Sequence, residues 1–408
     1  MISEMKKMKG HWFANDDIPM NILSRLSTKT LHLFKSVSKD WLNLISDRSF
    51  ISLQLKRSEP VSGFYFQEVF QWTDDEYVDQ CISYINVGVE RVNVWCNVLD
   101  FLPDNVVVLS LNNGLLCCRT SFPNSHPMIY VCNPLNKQWR SLMWPNNIAK
   151  DCSIALAFDP FRDPIDVSTD FKLVAVSRIE EGYKQILVEE DEEEEEEEEY
   201  SFFFDIYSSK TRSWRRSKEC CKCNHELTKN RGVLADGILY WLVGHGYGIL
   251  MFDLQNELSW LIPGPLPSAE FTCTPEMCIG ESQGKLCYVI ISEHGMQLWI
   301  LEDQFAPKWD LKFHASLDEL EGENVAVLYN LEEKIRSRLS RDVIPWMDPL
   351  SFKDGVVLLR VSAAVYLYEF GMRRRMKKLC DVSTLGPKAM FSPIVVPYTM
   401  SLVPVEQA

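Results

Sequence analysis

One short pattern recurs along the chain and constrains the fold more than any other. A polar residue and a glycine are followed at once by an apolar strand: Asn113-Gly114-Leu115-Leu116, Asp236-Gly237-Ile238-Leu239, Gln283-Gly284-Lys285-Leu286 and Asp354-Gly355-Val356-Val357. Each copy reads as a tight turn feeding a strand, since glycine is the default residue where the backbone must turn sharply. Three copies reach a tryptophan 23 to 25 residues after the glycine, at Trp139, Trp260 and Trp309, and the fourth reaches Leu379 at that distance. Each tryptophan follows a strand and a polar turn, as in the run from Tyr130 to Trp139, and the run from Phe204 to Trp214 is a fifth copy of that second half. Trp214, Trp260 and Trp309 are 46 and 49 residues apart, the length of a four-stranded propeller blade. The 75 residues from Trp139 to Trp214 contain an extra acidic insertion. Each unit is expected to bury one face against its neighbours, with its tryptophan filling the space between blades.

Other runs agree with a mainly-β body. Gly63 to Phe66, Cys81 to Ile85, Val106 to Leu109, Phe171 to Val176 and Ile238 to Leu242 are of strand length and rich in β-branched and aromatic residues. Only Leu317 to Leu339 offers a helix of any length. The expectation is a β-propeller of about six blades over residues 60–405, and a sandwich with irregular loops is the alternative the same strands leave open.

Residues 14–56 have a different texture. Ile18, Ile22, Leu23 and Leu26 fall at helical spacing, with Asp16 or Asp17 as N-cap and Pro19 in the first turn, where its missing N–H costs nothing. Thr28 is placed to cap a second helix carrying Leu31, Phe34, Lys35 and Val37, and Ser38 a third carrying Trp41, Leu44 and Ile45. A unit of about 35 residues is too small for a self-sufficient core, so its apolar surface must dock on something else.

Charge excludes some functions. The formal net charge is −15, which argues against generic nucleic-acid binding. Eleven of the negative charges lie in the run Glu189 to Glu199, a self-repelling tract expected to be a disordered loop; without it the chain stands at −4. Residues 1–60 are basic, with ten Lys or Arg against six acids, and residues 1–13 are expected to be a disordered N-terminus. No run of 18 apolar residues exists and the first residues lack the apolar core of a signal peptide, so a soluble intracellular protein is expected. The 13 cysteines are odd in number and several sit in apolar strands, which reads as buried free thiols.

Motifs that carry chemistry are weak. Cys220-Cys221-Lys222-Cys223-Asn224-His225 is the best metal candidate, with Cys273 and Cys278 as remote partners, but a tetrahedral site needs four ligands of suitable reach and an exposed loop is expected instead. Gly244-His245-Gly246-Tyr247-Gly248 opens no helix and lacks a following Lys-Ser or Lys-Thr, so it reads as a wide hairpin and not a phosphate loop. No Gly-x-Ser-x-Gly elbow or His-Glu-x-x-His pair occurs. Neither cofactor nor metal is expected.

Ile18-Pro19, Ile22-Leu23, Leu26, Leu31, Phe34-Lys35, Val37-Ser38-Lys39, Trp41, Leu44-Ile45-Ser46-Asp47 and Phe50 resemble the F-box, most of all its form in plant F-box proteins. The chain departs from the usual pattern at Ile18, Met20-Asn21, Leu33 and Arg48 while keeping the apolar face. Gly114 to Cys117, Cys132-Asn133-Pro134, Ala157 to Pro160, Asp170 to Val174, Gly237 to Leu242 and Leu298 to Asp303 resemble the landmarks of the kelch-like, propeller-type F-box-associated domain of those proteins. The resemblance implies a three-helix unit whose residues Pro19, Ile22, Leu23, Leu26, Leu31, Val37 and Trp41 bind a Skp-type adaptor, and through it cullin and RING subunits. It also implies a propeller that selects a protein substrate for ubiquitination, in cytoplasm or nucleus, with no nucleic acid or membrane partner and no catalysis of its own. Blade strands being committed to packing, the substrate loops are expected at 121–126, 244–248 and 292–296. A propeller enzyme or ligand-binding protein using a central funnel is the rival reading.

Overall fold

The computed structural model describes residues 17–57, 59–72, 75–87, 93–122, 124–145, 148, 152–160, 169–180, 200–244, 247–337, 346–371, 373–385 and 393–405. The N-terminus 1–13 and the acidic run 189–199 lie outside them.

Four short helices come first: α1 (Asp17–Leu23), α2 (Thr28–Phe34), α3 (Lys39–Ser46) and α4 (Arg48–Leu55). The sequence reading differs in three respects. Ser27, not Thr28, caps α2, its Oγ accepting from Thr30 N at 3.3 Å. Leu26 follows α1 and lies outside any helix. A fourth helix is present because Asp47 Oδ1 accepts from Ser49 N (2.9 Å) and Phe50 N (3.4 Å), giving α4 its own start.

The β domain is laid down as four-stranded meanders. Blade I uses β1 (Gly63–Trp72), β2 (Asp75–Asn86) and β3 (Val94–Trp95); blade II β4 (Val106–Asn112), β5 (Leu115–Thr120), β6 (Met128–Asn133) and β7 (Gln138–Met143); blade III β8 (Ser153–Ala157), β9 (Lys172–Glu180), β10 (Tyr200–Ser208) and β11 (Ser213–Cys223). Blade IV has β12 (Leu227–Ala235), β13 (Ile238–Val243), β14 (Gly248–Asp253) and β15 (Leu258–Pro263), and blade V β16 (Glu276–Ser282), β17 (Lys285–Ser292), β18 (Gly295–Asp303) and β19 (Lys308–Ala315). After α5 (Leu317–Glu323) and α6 (Leu331–Arg336) come β20 (Met347–Lys353), β21 (Val356–Val361), β22 (Ala364–Glu369) and β23 (Arg373–Asp381) of blade VI, and then β24 (Ile394–Tyr398). β24 returns to pair antiparallel with β1, supplying blade I with its innermost strand.

Blades I to IV are four separate four-stranded sheets, whereas V and VI merge into one eight-stranded sheet. The merger is slight: β16 and β20 pair in parallel only at Gly280↔Phe352 and Glu281↔Lys353. Gly280 permits it, because a Cβ there would stand 2.1 Å from Phe352 O.

The four glycine turns are the first hairpins of blades II, IV, V and VI. Their paired positive φ values, 45° and 82° at Asn113-Gly114 and 49° and 77° at Asp354-Gly355, belong to the tight turn that suits the right-handed twist of a hairpin. Successive strand residues face opposite neighbours, and here both faces are buried. Leu115 and Cys117 enter the core between blades II and III, while Leu116 and Cys118 enter the one between I and II. The remaining cores lie between III and IV, IV and V, V and VI, and VI and I, so the ring is closed. That is why the strands read as continuous apolar runs.

Two expectations need correction here. The single helix expected over Leu317 to Leu339 is split into α5 and α6, because Asn324 leaves helical geometry and spends its side chain on Leu320 O and Met376 N. Trp260 is not equivalent to Trp139, Trp214 and Trp309. Those three are each the second residue of an outermost strand, pairing with Cys132, Tyr207 and Leu301. Trp260 is the third residue of β15, and a shift of one residue sends it to the opposite face. It therefore joins Trp309 in lining the core between blades IV and V. Trp260 Nε1 donates to Gln304 O and Trp309 Nε1 to Pro263 O, both at 3.2 Å, stapling the two blades.

Candidate functional site

The helical unit shares one core with blades II and III. Leu23, Leu31, Ile45, Phe50 and Ile51 cluster with Leu115, Ile129, Val131, Leu156 and Leu173, and with Leu402, Val403 and Val405 from the segment after β24. That segment is held by Asn133, whose Nδ2 donates to Ser401 O (2.9 Å) and Val403 O (2.7 Å), and by Gln138 Oε1, which accepts from Val405 N at 3.1 Å. Asn133 shows no such role in the sequence, where only its place before a proline marks it.

This packing divides the expected adaptor-binding residues. Leu23 and Leu31 are buried in the shared core, which takes them off any free surface; Leu26 and Trp41 pack against its edge, Trp41 lying edge-on to Phe34 at 5.1 Å. Ile22 and Val37 point outward, 60% and 64% exposed, and Leu33 (62%) and Leu42 join them, two residues that sequence reasoning missed. Pro19 lies within α1, its side chain outside the described residues. Ile22, Leu33, Val37 and Leu42 are all large apolar side chains exposed on one small helical unit. Burial lowers the pKa of Lys35 from its ordinary value and, with help from Lys35, that of His32.

Strand direction assigns the loops. In each meander the first and third turns lie at one rim, the second turn and the link to the next blade at the other. The helical unit enters β1 from the first rim, and the segment after β24 leaves toward it. There a Cβ on Gly114 would stand 2.2 Å from Ser401 Cβ. The segments 121–126 (β5 to β6), 244–248 (β13 to β14) and 292–296 (β17 to β18) are all second turns and sit together at the opposite rim; residues 245 and 246 are outside the described set. β9 ends and β10 begins at that same rim. Sequence reasoning missed a row of rings there: Phe271, in the link from β15 to β16, stacks on Tyr247 at 6.2 Å and approaches His294 at 6.0 Å. Glu293 ties the row together, accepting from Thr272 Oγ1 (2.9 Å) and Cys273 N (3.4 Å).

The propeller axis offers an enzyme little. Its cavity holds about 100 Å³, and Arg231 crosses it to donate to Pro393 O (2.5 Å) and Val395 O (2.7 Å). Burial brings the Arg231 guanidinium down to about 10. Glu281 and Lys353 pair at 2.6 Å, and burial raises the neighbouring Asp354 carboxyl. The run Cys220 to Cys223 is strand, not the loop expected: Cys221 and Cys223 enter the core between blades III and IV while Cys220 faces solvent, and burial pushes the Cys221 thiol up to about 11. No group of three potential metal ligands converges among the described residues.

A family model described as the β-propeller of F-box protein At3g26010-like matches residues 97–330, and the F-box domain model matches residues 16–53. The Arabidopsis thaliana F-box protein At5g07610 is 27% identical over 393 residues, covering 91% of this chain and 86% of the relative. F-box protein At5g49610 from the same plant is 26% identical over 370 residues, covering 90% of each. F-box protein At3g26010 of Arabidopsis thaliana is 24% identical over 360 residues, covering 81% of this chain and 76% of the relative.

Proposed function

The chain belongs to the F-box proteins that carry an At3g26010-like β-propeller, and from that premise we propose that it is the substrate-recognition subunit of a Skp-cullin-F-box ubiquitin ligase complex. The observation that carries the proposal is the separation of two surfaces on one rigid ring. Ile22, Leu33 and Val37 are exposed on the helical unit at one rim, and the second-turn loops gather at the other. A Skp-type adaptor covers the first surface. A protein substrate is read by the second, at blades IV and V where Tyr247, Phe271 and His294 stack.

The mechanism is proximity. The chain forms no covalent bond; it raises the effective concentration of substrate lysines beside the ubiquitin-conjugating enzyme held by the cullin and RING subunits. The complex acts in cytoplasm or nucleus and ends in proteasomal degradation of the substrate. The rival reading, a propeller enzyme using its funnel, has against it an axial space of about 100 Å³ crossed by Arg231, where small-molecule sites run from about 300 Å³ upward.

Cutting the chain between helices and propeller would expose the shared core, so the test uses the full chain. Ile22→Asp with Val37→Asp should abolish co-purification of the adaptor while thermal unfolding is unchanged. Tyr247→Ala with His294→Ala should keep the adaptor and lose the proteins that accumulate when the proteasome is inhibited. Adaptor binding that survives the first double variant refutes the assignment.

A further inference from the structure

A second cavity, about 400 Å³, opens where the helical unit meets the propeller. Arg25, Lys29 and Arg57 line it from the helical side, and Ser62, Asn86 and Met400 from the propeller side. Its volume is in the range of small-molecule sites, about 300–1,000 Å³. Its charge is unbalanced. The one carboxylate on its wall, Glu59, is engaged through Oε1 by Thr28 N (2.6 Å) and Gln54 Nε2 (3.0 Å). Arg25 Nε donates to the neutral Asn21 Oδ1 at 3.2 Å, and Lys29 and Arg57 form no ion pair among the described residues. Three cations thus share the cleft with a single carboxylate, and none of the three is ion-paired among the described residues.

The chemistry that fits is a compact dianion. A phosphate group accepts charge-assisted hydrogen bonds from several cations at once, and guanidinium groups match its oxygens in pairs. We propose that this cleft is a binding site for a phosphate monoester, with Arg25, Lys29 and Arg57 as the groups that hold it. The site bridges the helical unit and the propeller at the rim away from the substrate loops, and it does not depend on the ligase reading. Phosphate monoesters come as small metabolites or as phosphorylated side chains, and both share this chemistry.

The test is calorimetric titration of the full chain with inorganic phosphate, with a sugar phosphate, and with a phosphoserine peptide beside its unphosphorylated form, all at constant ionic strength. Binding of inorganic phosphate is expected, with affinity falling as salt rises because the mouth of the cleft is open. The ester that binds more tightly than inorganic phosphate identifies the source. The triple variant Arg25→Gln, Lys29→Gln, Arg57→Gln should bind at least about tenfold more weakly, the effect of losing one charged hydrogen bond. Met400→Glu, which adds a carboxylate from the opposite wall, should do the same, and Lys210→Gln with Lys308→Gln, exposed on the β10–β11 turn and at the start of β19, should leave affinity unchanged. Adaptor co-purification with each variant reads the ligase proposal separately. Equal affinity of native chain, triple variant and Met400→Glu, or heats that chloride reproduces, overturns the site.

Discussion

Gly114, Gly284 and Gly355 occupy the same turn with nearly the same backbone, φ +82°, +80° and +77°, but only Gly114 is crowded. A Cβ at Gly284 or Gly355 meets nothing within 4 Å, whereas at Gly114 it would stand 2.2 Å from Ser401 Cβ. Alanine at any of the three has a left-handed strain of about 1–2 kcal/mol. At Gly114 it must also push the 401–405 segment away by about 1.5 Å, since carbons pack at about 3.5–4.0 Å. Leu402, Val403 and Val405 are at most 4% exposed. Losing the burial of just one of them costs about 1.5–3 kcal/mol, and one lost Asn133 bond about 0.5–1.5 kcal/mol. Gly114→Ala should therefore be about 2–4.5 kcal/mol less stable than Gly284→Ala or Gly355→Ala in urea unfolding. Hydrogen exchange should also show lost protection in α2 and α4, which share the core with that segment. Three alanine variants of equal stability, with α2 and α4 equally protected, would refute the claim that this segment holds the helices to the propeller.

Other outcomes follow from the packing. Leu23→Ala and Phe50→Ala, both at core positions, should lower stability by about 2–5 kcal/mol in chemical denaturation, in contrast to changes at exposed Ile22. Deleting 189–199 leaves eight residues to join β9 to β10, whose ladder runs unbroken from Glu180↔Tyr200 to Lys172↔Ser208; since loop closure changes by about 0.6 kcal/mol per doubling of length, the melting temperature should move by no more than a few degrees in calorimetry. Trp309→Phe removes the donor to Pro263 O and should cost about 1 kcal/mol, read by urea unfolding. Hydrogen bonds from Ser49 hold the Asp47 carboxyl below its ordinary pKa. Its folded pKa being depressed, Asp47 stabilises α4 above the unfolded carboxylate pKa and that contribution is lost as pH falls through the folded one; Asp47→Asn should abolish this acid-side dependence in α4 hydrogen exchange.

The propeller was legible because two physical demands leave marks in sequence. The tight hairpin demands a residue free of Cβ strain, hence the four turn glycines, and strands buried on both faces demand unbroken apolar runs such as Leu115 to Cys118. What the spacing of tryptophans could not carry was the face each one presents. The turn before Trp260 has the same four residues as the turns before Trp214 and Trp309, but Trp260 stands one place further along its strand, and one residue reverses a strand's side chains. In the helical unit the difficulty was of another kind. Apolar positions at helical spacing mark a face that is covered, without saying by what: Leu23 and Leu31 are covered by this chain's own blades, Ile22 and Val37 by nothing among the described residues. α4 did leave a signal, the Asp47 cap ahead of Phe50, Ile51 and Leu55. The cavity at the junction left none, because Arg25, Asn86 and Met400 are brought together only by the fold.

The pairing of β24 with β1 sets a timetable for biosynthesis. Ile394 must find Gln67 and Tyr398 must find Gly63, so the innermost strand of the first blade leaves the ribosome more than 300 residues after its partner. Until then the nascent chain carries β1 with a bare inner edge, and such edges recruit other chains. The core between blades VI and I lacks Val395, and the helices made first lack Leu402, Val403 and Val405. Contacts this distant in sequence close slowly, so translation of this chain passes through a long interval in which almost everything needed is present and nothing is locked. Chaperone dependence should therefore concentrate in that interval, and a stop codon anywhere before residue 394 should yield an aggregating fragment, not a shorter working protein.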